Sequence, residues 1–68
     1  MSIGKRIKYL REKNGLTQED VAYILHISRQ SVSKWEQDKS LPQVYIIKEL
    51  VKIFKCKYED ILGENNVE

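Results

Sequence analysis

The stretch Ser28-Arg29-Gln30-Ser31-Val32-Ser33-Lys34-Trp35 gathers several hydrogen-bonding side chains and contains no acid. Arg29 carries a planar fork whose donors match O6 and N7 of guanine, and Gln30 carries an amide that can pair bidentately with adenine. Ser33 and Lys34 come one helical turn later on the same face, placed to reach bases or phosphates. Val32 and Trp35, three apart, mark the opposite, inward face of the same short helix.

A base-reading face needs elements that hold it outward. Ser28 is a helix N-cap just ahead of the run. Upstream, Val21, Ala22 and Leu25 mark the inner face of a second short helix, and Ile27 plugs the gap between the two. Two short helices back to back, with a few residues between them, are the layout of a helix-turn-helix, which puts its second helix into the major groove of DNA. Ala22 is small where two helices must cross closely.

The flanks continue the helical pattern. Ile3, Ile7 and Leu10 form a one-sided stripe on a first helix to Lys13, with Ser2 as N-cap and Asn14-Gly15 as the stop. Thr17 caps the next helix, and Asp20 three residues on makes a short version of the capping box. After the recognition segment comes the polar loop Gln37-Asp38-Lys39-Ser40. Pro42 suits the first turn of a fourth helix, with Val44, Ile47, Leu50, Val51 and Phe54 as its apolar face. A short fifth helix from Tyr58 to Leu62 contributes Ile61 and Leu62 and stops at Gly63. Residues 64–68 read as a polar C-terminal tail. With no strand alternation and no repeat, the expected fold is all-α, a compact five-helix bundle.

A chain of 68 residues is expected to be one domain with a small core and no separate small-molecule ligand domain. Cys56 is the only cysteine, so no internal disulfide forms, and with a single histidine (His26) no structural zinc site is expected. No metal, cofactor or catalytic residue is expected, since Cys56 and His26 lack a third partner and no Gly-rich phosphate loop is present. Apolar runs are too short to span a membrane, and early Lys5, Arg6 and Lys8 break any signal peptide; the expected setting is the reducing cytoplasm. Net charge is only +2, but it is unevenly spread. Residues 1–13 hold Lys5, Arg6, Lys8, Arg11 and Lys13 against Glu12, while residues 58–68 hold Glu59, Asp60, Glu64 and Glu68 and no base. The acidic end should point away from a polyanion.

From Ile3 to Leu62 the chain resembles the Cro/XRE-type, lambda-repressor-like DNA-binding family. The segments that carry the resemblance are Leu16-Thr17-Gln18-Glu19-Asp20-Val21-Ala22 and Ser28 through Glu36, with Pro42 and Asp60-Ile61-Leu62 matching in place. The resemblance implies a helix-turn-helix domain over residues 1–63 with its motif at 18–37. It implies a sequence-specific regulator, a repressor acting as a homodimer on a palindromic operator. Base contacts then fall to Arg29, Gln30, Ser33 and Lys34, and phosphate contacts to Gln18, Lys39 and Thr17. In the family, the glutamine at the place of Gln18 also braces the recognition helix. Arg11 and Glu36 match a buried ion pair tying the first helix to the end of the third. Ile53, Lys57 and Tyr58 lie where the family dimerises. One place departs: His26 stands where the family has glycine, at a turn position that wants positive φ.

Tyr23, Ile24, Tyr45, Ile46, Ile53 and Tyr58 exceed what the core needs. They keep a second reading open, in which the chain is a protein-interaction module such as an antitoxin or adaptor. The acid-free face at 28–35 favours double-stranded DNA, and the two readings can coexist.

Overall fold

The computed structural model describes residues 1–63. It has five helices: α1 (Ile3–Lys13), α2 (Gln18–Leu25), α3 (Arg29–Glu36), α4 (Val44–Phe54) and α5 (Tyr58–Leu62). There is no strand among the described residues, and none of the helices is long and apolar enough to cross a membrane. The expected polar tail, 64–68, lies outside the described residues.

The N-terminal caps follow the local sequence. Ser2 Oγ accepts from Lys5 N at 3.1 Å, Thr17 Oγ1 from Asp20 N at 3.0 Å, and Ser28 Oγ from Ser31 N at 3.2 Å. At Thr17 the box is complete, because its own N–H donates to Asp20 Oδ2 at 2.8 Å.

The C-terminal closures share one device. After α1, Gly15 takes φ +72, its N–H reaches Glu12 O and that of Leu16 reaches Arg11 O, both at 3.0 Å. This is a Schellman closure. His26, Asp38 and Lys55 repeat it at φ 59, 59 and 53, with Ile27 N–H bonded to Ala22 O, Lys39 N–H to Lys34 O and Cys56 N–H to Val51 O. Helices α1 to α4 therefore close in this way, and among them only α1 supplies glycine for it.

Ile7, Leu10, Val21, Ala22, Val32, Trp35, Ile46, Leu50, Phe54 and Ile61 form one buried cluster. Two expectations about α4 need correction. Pro42 is not in its first turn: it is buried, Gln43 is the N-cap without a side-chain bond, and the helix starts at Val44. The buried positions are Ile46, Leu50 and Phe54, four apart, with Ile47 and Val51 beside them. Val44, two residues before Ile46 and so on the far side of the helix, is 76% exposed. Ile46, set aside as surplus, is a core residue, and Leu62, counted as core, is exposed. Ile53 is half-buried against the core.

Candidate nucleic-acid interface

α3 is held from behind by Val32 and Trp35, which are 0% and 5% exposed. Its opposite face carries exposed Arg29, Gln30 and Lys34 with half-buried Ser33. The Schellman turn at His26 (φ 59, ψ 43) and the cap at Ser28 set how α3 leaves α2, and half-buried Leu25 and Ile27 fill the corner between them. The turn takes the positive φ expected of it, on a histidine.

The geometry separates the four expected base contacts. Arg29, Gln30 and Lys34 are open to solvent, whereas Ser33 Oγ accepts a hydrogen bond from Gln37 Nε2 at 2.8 Å. Ser33 thus presents a hydroxyl already oriented by Gln37, which the sequence places only in the polar loop after α3.

Beneath this face lies a continuous polar chain. Arg11 Nε donates to Glu36 Oε2 at 2.6 Å and Arg11 Nη2 to Oε1 at 3.0 Å, a bidentate pair whose side chains are 10% and 4% exposed. Arg11 Nη1 also donates to Leu16 O at 2.8 Å, tying in the α1–α2 connection. The hydrogen bond to Glu36 raises the Arg11 pKa further against the opposing effect of burial, so the guanidinium stays charged. Gln18, half-buried at the start of α2, donates Nε2 to Glu36 Oε1 at 3.0 Å and accepts from Arg29 Nη1 at 3.4 Å. The structure therefore connects Arg11, Glu36, Gln18 and Arg29 from core to surface.

Thr17 and Lys39 flank the face. Thr17 is exposed with its oxygen committed to the cap. Lys39 is exposed in the loop after α3. Its neighbour Asp38 turns back: Asp38 Oδ2 accepts from Ser2 Oγ at 2.6 Å and Oδ1 from Gly4 N at 3.0 Å. These bonds, that from Ser2 first, lower the Asp38 pKa below the ordinary carboxylate value. Gly4 is required there, since a Cβ would overlap the Trp35 carbonyl oxygen and lie 2.7 Å from Asp38 Oδ1. The sequence places Asp38 only in a polar loop and gives Gly4 no role; a glycine in the first turn of an otherwise good helix is the one local signal of their contact.

Lys57 and Tyr58 sit together at the start of α5, both exposed, and the Lys57 N–H donates to Asp60 Oδ2 at 2.8 Å. Tyr23, 81% exposed, and Ile24 project from α2 away from the core. Among the described residues no group of His, Cys, Asp and Glu side chains is arranged to hold a metal. Cys56 is half-buried, and burial pushes its thiol pKa up.

A family model described as Helix-turn-helix (HTH_3) matches residues 7–61. The chain is 40% identical over 65 residues to the Antitoxin PezA of Streptococcus pneumoniae serotype 4, covering 96% of this chain and 41% of that protein. It is 33% identical over 67 residues to the HTH-type transcriptional regulator ImmR of Bacillus subtilis (strain 168), covering 98% of this chain and 53% of that protein. The chain thus spans about half or less of these two relatives. The P22 c2 repressor, crystallised in complex with synthetic operator 9T in the presence of Tl+, shares the fold. Its TM-score is 0.86 at 23% identity, over 96% of this chain and 98% of that one.

Proposed function

The chain belongs to the helix-turn-helix family, and from that premise we propose that it is a sequence-specific DNA-binding transcriptional regulator that lays α3 in the major groove. The observation that carries the reading is the acid-free outer face of α3, braced by Val32, Trp35 and the Arg11–Glu36–Gln18 chain. Arg29 and Gln30 read base edges at the helix start, with Lys34 and Ser33 one turn on. Lys39, Thr17 and the second amide hydrogen of Gln18 contact phosphates, which set register and the salt dependence of binding.

The reading extends to a cytoplasmic repressor whose unit is residues 1–63. It acts as a homodimer through Lys57, Tyr58 and the exposed edge of Ile53, on half-sites about 34 Å apart. The repressor bound to an operator in the structural neighbour supports this reading. Selection of bound sites from random DNA tests it. Enrichment of a dyad-symmetric site supports the proposal; recovery of no sequence preference overturns it.

A second reading has its own support. The likeness to an antitoxin, together with exposed Tyr23 and Ile24 beside Leu16, Glu19 and Asp20, suits a partner protein bound on α2. That surface is separate from the face of α3, so a protein partner and DNA are compatible.

A further inference from the structure

Glu36 does not touch the outer face of α3, yet its carboxylate governs what that face can do. A carboxylate only accepts hydrogen bonds, so the side-chain amide of Gln18 must turn its nitrogen inward to Glu36 Oε1, 3.0 Å away. The amide is planar, and its oxygen is therefore forced outward, where Arg29 Nη1 lies 3.4 Å from it. Glu36 is itself immobilised: its side chain is 4% exposed and both oxygens are bonded by Arg11.

We propose that Glu36 is a positioning residue for base readout: by fixing the polarity of the Gln18 amide, it presents an acceptor that orients the Arg29 guanidinium toward the groove. The inference rests on the assignment of Arg29 as a base contact. An acceptor at this point suits a donor side chain at position 29, and Arg meets that demand with one N–H while keeping the rest of its fork for a base. The bond at 3.4 Å is weak by length, so it biases an exposed side chain without locking it.

The test measures discrimination, the ratio of affinities for the selected site and for the same site changed at the base pair read by Arg29. In Glu36→Gln the new amide can accept from Arg11 through its oxygen and donate to Gln18 through its nitrogen. With that nitrogen in the place of Glu36 Oε1, the bond from Arg11 Nη2 is lost, that from Arg11 Nε is kept, and the Gln18 amide reverses and turns donors toward Arg29. Discrimination at that base pair should fall by roughly tenfold, the scale of one bidentate base contact, with discrimination at other positions unchanged. Gln18→Met keeps the Arg11–Glu36 pair and removes the acceptor, so it gives the same loss if Glu36→Gln folds poorly; circular dichroism and thermal unfolding check both. In an Arg29→Ala background neither change should lower the ratio further. Equal weakening on all sequences, with the ratio intact in folded Glu36→Gln and Gln18→Met while Arg29→Ala abolishes it, overturns the inference and leaves the DNA-binding reading standing. Full discrimination in Arg29→Ala overturns the base-reading assignment and this inference with it.

Discussion

The backbone N–H of Gly4 donates to Asp38 Oδ1 at 3.0 Å, so the residue that closes α3 also caps α1. A negative charge at a helix N-terminus is favourable by both dipole and hydrogen bond. The consequence reaches the interface, because Lys39 follows Asp38 directly. The loop that carries Lys39, the proposed phosphate contact, is anchored to the first helix through its neighbour.

Gly4→Ala should destabilise the protein by about 1–3 kcal/mol through the clash with the Trp35 carbonyl, outweighing a helix-propensity gain of about 1 kcal/mol. The midpoint of urea unfolding reads it. A midpoint equal to or above that of the parent would show that the two helices separate at little cost.

Asp38 titrates below its ordinary value of 3.8 in the folded state. A carboxyl with a depressed folded pKa stabilises above its unfolded pKa, and the contribution is lost as pH falls through the lower, folded value. The melting temperature of Asp38→Asn should therefore lie below the parent's at neutral pH, with the gap closing below about pH 4. A gap that stays constant down to pH 2 would assign the effect to shape instead of charge.

Glu36→Ala leaves the Arg11 guanidinium buried without its partner, and should cost about 3–5 kcal/mol in denaturant unfolding. The double change Arg11→Met with Glu36→Leu should recover much of that loss, since an apolar pair of similar volume replaces two desolvated charges. A double variant no more stable than Glu36→Ala would contradict this account.

His26→Gly should stabilise by about 0.5–1 kcal/mol, because glycine relieves the left-handed strain and gives back part of the gain as unfolded-chain entropy. Thermal unfolding measures it, and DNA affinity should be unaltered.

Arg29→Ala should cost about 1–3 kcal/mol at the selected site and relax one base position. Lys39→Ala should weaken all sequences alike and reduce the salt slope by about one. Affinities titrated against salt on selected and random DNA separate the two; equal losses on both DNAs for Arg29→Ala would refute its role as a reader.

Much of the fold was legible because its signals are short-range. Caps at Ser2, Thr17 and Ser28 and the stop at Gly15 act within three or four residues, and the stripes of α1, α2 and α3 follow the helical period. The fourth helix was less legible. Val44, Tyr45, Ile46 and Ile47 are four consecutive apolar residues, and a run with no polar break has no visible phase. Packing of α4 chose Ile46 for the core and left Val44 and Tyr45 in solvent.

The sequence by itself determined the helices, the caps at Ser2, Thr17 and Ser28 and the polar, acid-free character of residues 28–35, since each depends on neighbours within one or two turns. Only the tertiary structure decided how those polar groups are used. Gly4 meets Asp38 across 34 positions and Gln18 meets Glu36 across 18, while the Arg11–Glu36 pair, 25 apart, was legible only through the family resemblance. Such pairings depend on how closely and at what angle α1 and α2 pack against α3, and no local pattern records that. A buried carboxylate with a single orientation for the Gln18 amide exists only once those helices are in place.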